Sequence, residues 1–146
     1  MSVRSDKRGE TKLAVLENAK KLSEYTLRKC TNNNIFPLRF RNSITTRLNN
    51  ASMDAMICIF KANKVLVKTE EDFTMRRNFQ NEAHANIQTM LVLIDLAYKM
   101  FEGLTGKKVD YWITLCYETD EKLMAWMRSD AKRYEKLLAE NKEKEK

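Results

Sequence analysis

Apolar side chains recur every three to four residues in four separate stretches of the chain. This spacing places them on one face of an α-helix, because the helix completes a turn in about 3.6 residues. No convincing strand-like alternation of apolar and polar residues interrupts them. The pattern therefore predicts four helices, whose apolar faces run from Val15 to Thr26, Ile44 to Leu66, Phe79 to Leu104 and Val109 to Met127.

Polar or glycine-containing segments separate the predicted helices. Asn32 to Asn34 is typical of a helix end, since asparagine tolerates the left-handed backbone conformation. Pro37 fits a turn or the first position of the second helix. Thr69 is a candidate N-cap, and Glu70 to Asp72 suits the positive end of the third helix dipole. The segment from Gly103 to Gly106 ends that helix.

Long helices joined by short turns pack beside their chain neighbours. The sequence therefore predicts an all-α, antiparallel up-down-up-down four-helix bundle over residues 12–138. Residues 1–11 are predicted to form a polar flexible leader, and residues 139–146 a flexible tail rich in lysine and glutamate.

Composition narrows the class of protein further. Three glycines and one proline in 146 residues are too few for a loop-rich sandwich or barrel. No apolar run approaches the length of about 20 residues that a membrane helix needs, and Met1 to Glu10 lacks the apolar region of a signal peptide. The three cysteines have no disulfide-framework or metal-site spacing, which fits a reducing cytoplasm. We therefore expect a cytoplasmic protein that does not contact a membrane.

Candidate catalytic chemistry is sparse. His84 is the only histidine, and it is more often a structural or partner-facing residue than a catalyst in such a helical setting. Cys30, Cys58 and Cys116 lie on or near apolar faces, where core thiols are commoner than nucleophiles. Phosphate-loop, dinucleotide and zinc-protease motifs are missing from the sequence. We expect no catalytic residue, no metal, no cofactor and no small-molecule substrate.

Positive charge is concentrated in the first half of the chain. The net charge is +7, and residues 1–68 hold fourteen basic and five acidic side chains. In an antiparallel bundle, the ends of helices one and three and the starts of helices two and four meet at one end. The cations that this arrangement gathers are Arg28, Lys29, Arg39, Arg41, Lys99, Lys107 and Lys108.

Four of these cations stand at predicted helix starts, where positive charge opposes the helix dipole. They are Arg39, Arg41, Lys107 and Lys108. Such a cluster indicates either a site for a nucleic-acid backbone or an ordinary solvated surface, and charge alone does not separate the two. Arg128, Lys132 and Arg133 form a second candidate nucleic-acid-binding set. Nearby aromatic rings either stack on bases or complete the edge of the core.

A second apolar line follows the predicted second helix through Met53, Met56, Ile57 and Phe60. One face of a bundle helix needs an apolar arc of about 100°, so the wider arc indicates deeper burial or a contact between subunits. Aromatic side chains of the kind enriched at interfaces add to these candidates. They are Tyr111, Trp112, Trp126 and Tyr134.

Several short motifs recur in a particular order between Lys12 and Leu138. They are LSEYT at 22–26, Phe36-Pro37, Ala62-Asn63, Arg76 with Gln80 and Ala83, Leu96-Ala97-Tyr98, Lys107-Lys108 with Tyr111-Trp112, and Trp126 with Ser129-Asp130 and Arg133-Tyr134. Their order resembles the four-helix-bundle family that contains the accessory variability determinants of diversity-generating retroelements and the proteins encoded by 23S rRNA intervening sequences.

This resemblance implies a basic, non-enzymatic bundle that assembles into a homo-oligomeric ring, with a pentamer expected. It also implies binding to the retroelement's reverse transcriptase and to template-repeat RNA, with cDNA as a further possible partner, in support of mutagenic retrohoming. Two alternatives stay open. The chain could be a scaffold that binds only proteins, or an rRNA-intervening-sequence protein without a reverse-transcriptase partner.

Overall fold

The computed structural model describes residues 2–145, and the side chains of residues 14–145. Over this range the backbone forms four α-helices and no β-strand, which confirms the prediction of an all-helical chain. The helices are α1 (Ser2–Cys30), α2 (Thr46–Lys64), α3 (Glu70–Met100) and α4 (Gly106–Lys144). Helix α1 packs against α2 and α4, and α3 packs against the same two helices, so the four form a bundle.

Both flanking segments are helical where the structure describes them. Helix α1 begins at Ser2, inside the predicted leader, and α4 continues through most of the predicted tail to Lys144. Met1 and Lys146 lie outside the described residues, as do the side chains of the leader. The flexibility of these segments stays a prediction.

The connection between α1 and α2 differs from the expected left-handed stop. No described residue has a positive φ. Instead, the Asn32 carbonyl accepts hydrogen bonds from the amides of Ile35 and Phe36, at 3.0 and 2.9 Å, and the Asn32 side chain accepts one from the Asn34 amide. These bonds turn the chain without the left-handed conformation, so that part of the prediction is wrong.

Helix α2 begins later than its apolar pattern suggests. A 3-10 turn (Leu38–Phe40) and a π-helical turn (Arg41–Thr45) precede its first residue. The hydroxyls of Thr45 and Thr46 both donate to the Arg41 carbonyl, which also accepts from the backbone amide of Thr46. This irregular entry places basic side chains at the start of α2 without burying them.

The start of α3 has the cap that the sequence predicts. The Asp72 amide donates to the Thr69 hydroxyl at 3.2 Å, and the Asp72 carboxylate accepts from the amides of Lys68 and Thr69. These hydrogen bonds, with that from Lys68 the largest cause, lower the pKa of Asp72. The reciprocal pair satisfies amides that a helix start leaves without partners.

The core contains most of the side chains that the helical periodicity selects, and it includes both tryptophans. Leu66, at the end of the predicted second apolar face, lies beyond α2 and is 73% exposed, so that part of the prediction is wrong. Trp112 is 0% exposed and Trp126 is 1% exposed. The Trp112 indole N–H donates to the Thr26 hydroxyl on α1 at 3.0 Å, so its one polar atom is satisfied inside the bundle. The expectation that Trp112 and Trp126 lie at an interface is therefore wrong, because neither ring reaches the surface.

The two connections at one end of the bundle touch each other. A Cβ atom on Gly103 would lie 2.2 Å from the Asn34 carbonyl oxygen, closer than any side chain tolerates. Beneath this contact, the ring of Phe36 packs edge-on against Phe101 and Trp112. The α1–α2 and α3–α4 connections are thus held together by backbone proximity and by a buried aromatic cluster.

None of the helices in the described part of the chain combines the length and hydrophobicity needed to cross a membrane.

Candidate nucleic-acid interface

Four elements meet at the end of the bundle where the connections touch. The Tyr25 hydroxyl, near the end of α1, donates to the Lys108 carbonyl at the start of α4 at 3.1 Å. Arg39 and the end of α3 line a shared surface depression beside Gly103. The seven cations predicted to share one end all stand on these elements. We call Arg28, Lys29, Arg39, Arg41, Lys99, Lys107 and Lys108 the basic end.

Two of these cations, Lys29 and Arg39, lie over aromatic rings. The Lys29 ammonium lies 5.0 Å from the Tyr25 ring centroid, and the Arg39 guanidinium lies 5.0 Å from that of Phe40. Tyr25 also packs edge-on against Tyr111, at 4.8 Å between centroids. Burial, and then the neighbouring Tyr111, raise the pKa of Tyr25. Tyr111 itself is 53% exposed, which leaves a ring face able to stack on a base.

The cations of the basic end differ in how they are paired. Arg28 bonds Glu24 at 2.7 Å and Lys99 bonds Asp95 at 3.2 Å, and all four side chains are well exposed. Exposed pairs of this kind contribute about 0–1 kcal/mol, so a phosphate can displace the carboxylate at little cost. Within residues 14–145, no carboxylate lies within 4.0 Å of the charged atoms of the other five cations.

The second predicted basic set lies at the other end of the molecule. Its helix segment packs against the start of α3, where Arg76 contacts Asp130. The 23 residues of α3 between Arg76 and Lys99 span about 35 Å at the rise of an α-helix. The ten predicted nucleic-acid-binding residues therefore form two separate groups.

Arg133 belongs to a buried network. Its guanidinium bonds the Asp130 carboxylate, which also accepts from Arg76 at 3.0 Å and from Gln80 at 2.9 Å. Arg76 in turn donates to the Val65 carbonyl in the α2–α3 connection. Arg133 therefore contributes to the fold, and its place among the nucleic-acid contacts stays a prediction. Arg128 and Lys132 remain exposed on α4.

Sequence reasoning missed this network, although it named its members. Arg76, Gln80, Asp130 and Arg133 are among the residues that carry the family resemblance. Three of them are buried, and together they link α3 to α4. The sequence did contain one indication of this network. Asp130 falls on the apolar face of α4, where a buried charge is costly unless it is paired, so a cationic partner could have been expected. These motif residues stabilise the bundle in the structure.

His84 has a defined partner. Its Nδ1 atom lies 2.7 Å from one Asp120 oxygen, and the Gln88 amide donates to the other oxygen at 3.2 Å. The nearby Cys116 thiol is fully buried, and burial, with a smaller contribution from Asp120, raises its pKa to about 12. This thiol is protonated at neutral pH and is a poor nucleophile.

The other two thiols are also buried, which confirms their predicted placement in the core. Burial raises the pKa of Cys30 to about 12 and is the main cause that raises that of Cys58 to about 11. Within residues 14–145, no three histidine, cysteine or acidic side chains are grouped closely enough to hold a metal ion. The described side chains thus present neither an activated thiol nor a metal-ligand cluster.

The second apolar line of α2 reaches the surface. Met53, Ile57 and Phe60 are exposed, Phe60 by 47%, whereas Met56 is only partly buried against the core. We call these four residues the outer α2 face. Tyr134, also predicted at an interface, instead stacks on Phe73 within the chain, with ring centroids 4.2 Å apart.

The basic end and the outer α2 face are the two candidate binding surfaces that the sequence predicted and that the structure leaves accessible. None of the protein-family models, curated proteins or solved structures compared with the chain matches it.

Proposed function

We propose that the chain is a non-enzymatic, cytoplasmic accessory protein of a diversity-generating retroelement, which binds the reverse transcriptase and template RNA during mutagenic cDNA synthesis. The order of motifs between Lys12 and Leu138 supports the family. The observation that carries the binding role is the basic end, where cations from four elements share one end of the bundle with the exposed Tyr111.

The proposal includes an antiparallel up-down-up-down course for the four helices. Contacts between helices support it. The start of α4 meets the end of α1 through Trp112 and Thr26, whereas the start of α3 meets the later part of α4 through Arg76 and Asp130. Further along α3, His84 meets the earlier Asp120 of α4. Successive contacts therefore run in opposite directions along α3 and α4.

The basic end favours a polyanion with regularly spaced charges. Its cations stand on separate elements, so neighbouring phosphates of one strand can each meet a different side chain. The exposed ring of Tyr111 adds a stacking surface that an acidic protein segment does not use. These features support RNA as the partner at this end, through its backbone rather than a specific sequence.

We expect RNA affinity to depend on the basic end and on salt. Replacing Arg39 and Lys107 by glutamine removes two exposed cations, so binding of a structured template RNA weakens and the slope of log affinity against log salt becomes about one to two units shallower. Fluorescence anisotropy between about 50 and 200 mM salt measures both quantities.

The matched control replaces Arg128 and Lys132, two exposed cations at the other end of α4. The sequence also predicts these two side chains as nucleic-acid contacts, but in this proposal the RNA contacts the basic end alone. The same net charge is lost, yet we expect affinity to change by less than about threefold, because these side chains lie about 35 Å away along the bundle. Equal losses of RNA affinity in the two double variants would mean that the RNA is attracted by net charge and not by the basic end in particular. A flat salt response of the unmodified protein would exclude RNA binding of the proposed kind.

A second candidate function, a scaffold that binds only proteins, is favoured by the outer α2 face. In the retroelement proposal this face holds neighbouring subunits of a ring.

Replacing Ile57 and Phe60 by glutamate puts charge on the outer α2 face, and we expect light scattering to report the 17.2 kDa monomer instead of a larger ring. Tyr117→Glu alters a similarly exposed aromatic position on α4 and should leave the ring intact.

A monomeric unmodified protein at micromolar concentration would contradict the ring. The reverse transcriptase is tested separately, by co-purification with the enzyme encoded beside this gene, with and without template RNA. Capture of protein partners without any RNA binding would instead favour the scaffold. A gene without a neighbouring reverse transcriptase and paired repeats would favour an rRNA-intervening-sequence protein.

A further inference from the structure

An apolar cavity of about 310 Å³ opens between the entry of α2 and the last turns of α3. Phe40 and Ile44 line it on the α2 side, and Leu93, Leu96 and Met100 line it on the α3 side. Six of the eight residues of its wall are apolar. The wall contains no residue of the basic end or of the outer α2 face, so neither of the surfaces assigned above uses this cavity.

The α3 wall of the cavity belongs to a longer apolar stripe on the surface. Val92, Leu96 and Met100 stand four residues apart on α3 and are 70%, 47% and 53% exposed. This spacing places them on one face of the helix, where they span about 12 Å. Val92 does not line the cavity, so the stripe extends beyond it. The surface is therefore longer than a compact small molecule covers. We call the cavity and the stripe together the α2–α3 groove.

Arg47 is the only ionisable residue in the wall of the cavity, and its side chain is exposed. Within residues 14–145, no carboxylate lies within 4.0 Å of its guanidinium. The other polar group of the wall is the Ser43 hydroxyl, which already donates to the Phe40 carbonyl at 2.8 Å. On α3, the Asp95 carboxylate beside the stripe is bonded to Lys99. The groove thus combines an apolar floor with one cation that has no acidic partner.

Charge around the groove favours a partner that carries acidic side chains. Arg39 and Arg41 stand on the turns that precede Arg47, and Glu102 lies beyond the cavity, where it lines the neighbouring depression with Arg39. A basic segment would meet these arginines as like charges, which disfavours it. RNA satisfies the charge but has no aliphatic side chains to cover the stripe. Only a protein segment supplies acidic and aliphatic groups side by side.

We propose that the α2–α3 groove binds an amphipathic helix of a partner protein, with large aliphatic side chains along one face and acidic side chains flanking that face. Aliphatic anchors at positions i, i+3 or i+4, and i+7 of such a helix span the length of the stripe. Met100 adapts its shape to them, and the Arg47 guanidinium pairs with a flanking carboxylate. The site does not depend on the retroelement assignment, since its wall shares no residue with the basic end.

The probe is a synthetic, fluorescently labelled helix of about 18 residues, long enough to be partly helical in water. It carries leucines every three to four positions on one face and glutamates on both flanks of that face. One control peptide has lysine at every glutamate position, and another has glutamine at every leucine position. We expect fluorescence anisotropy with the full chain to give a micromolar Kd for the glutamate peptide, and binding at least about tenfold weaker for both controls.

Equal binding of either control peptide would overturn the proposal, because the groove would then select neither acidic charge nor aliphatic side chains. The absence of binding by the glutamate peptide at about 100 µM would overturn it as well.

A charge reversal locates the peptide beside Arg47. We expect Arg47→Glu to weaken binding of the glutamate peptide at least about tenfold and to strengthen binding of the lysine peptide. The matched control is Lys122→Glu, which reverses an exposed cation on α4, a helix that does not line the cavity. It should change either affinity by less than about twofold. Equal effects of the two reversals would show attraction by net charge alone and would overturn the proposal.

The double variant Leu96→Gln with Met100→Gln tests the apolar stripe. Both side chains are exposed, so we expect the fold to be retained by circular dichroism and the affinity for the glutamate peptide to fall at least about tenfold. An unchanged affinity would contradict the proposal. Light scattering tests a different occupant, because an oligomer that dissociates in this variant would show that a second copy of the chain covers the groove. That result would also overturn the partner helix.

Discussion

Replacing Asp130 by alanine is expected to lower the free energy of unfolding by about 3–5 kcal/mol. The Asp130 carboxylate is 3% exposed and accepts hydrogen bonds from Arg76, Gln80 and Arg133. Its removal leaves the Arg76 guanidinium buried without its counter-charge, and the cost of that desolvated cation dominates the loss. Urea unfolding followed by circular dichroism measures the change.

Asp110→Ala is the matched control, because Asp110 lies exposed near the start of the same helix and bonds no cation in the described structure. It should change stability by less than about 0.5 kcal/mol. The double variant Arg76→Met with Asp130→Leu removes both charges, and we expect it to recover most of the loss. A loss below about 1 kcal/mol in Asp130→Ala would show that the pair does not stabilise the bundle.

Replacing Trp112 by alanine is expected to cost about 3–5 kcal/mol of folding free energy. The ring is fully buried between α1, the α1–α2 connection and the core, where it contacts Tyr25 and Phe36 edge-on. The substitution leaves a large cavity and removes the hydrogen bond to Thr26. Thermal or urea unfolding measures the loss.

Tyr111→Ala separates a core role from an interface role. Tyr111 is the chain neighbour of Trp112 but is 53% exposed, so we expect a loss below about 1 kcal/mol. For Trp112→Ala the loss in the isolated subunit should not depend on protein concentration. If the loss of folding free energy in Trp112→Ala disappeared when the protein was diluted to the monomer, Trp112 would belong to a subunit interface after all.

The helices were predictable because each has one dominant apolar period. In α3, Ala83, Ile87, Met90, Ile94 and Ala97 recur every three to four residues, and all five are buried. The Thr69 cap was also readable, since its partner Asp72 stands three residues later. Both predictions depend on residues that are close in sequence, and the hydrogen bonds and packing between those residues confirm them.

For the two tryptophans, the helical spacing predicted burial correctly, whereas the general enrichment of aromatic residues at interfaces suggested a surface position that is wrong. Trp112 and Trp126 are 14 residues apart, close to four helical turns, so they share the face that also holds Cys116 and Leu123. That face is buried. Aromatic enrichment at interfaces describes a class of surface and does not locate a particular ring, so periodicity was the better guide to both residues.

Other features had no local signal. The π-helical turn before α2 depends on how the connection packs at the end of the bundle, which the residues from Arg41 to Thr45 do not encode alone. Two partners of Asp130, Arg76 and Gln80, come from a helix about 50 residues earlier, so only tertiary packing could show them. The pairing of Asp130 with Arg133, three residues later on the same helix, did have a local signal. The order of the helices predicted which cations belong to the basic end, but it did not predict that Lys29 and Arg39 lie over aromatic rings.

The close approach of Gly103 to Asn34 has a consequence for the thermodynamics of binding. Because the two connections already touch backbone to backbone, neither has to be immobilised when a ligand arrives at Arg39 or Lys107. The conformational entropy of those segments is lost during folding, so RNA binding as proposed at the basic end would not incur that penalty again. Any side chain at position 103 would push the α1–α2 and α3–α4 connections apart, and ordering them would then cost conformational entropy on binding.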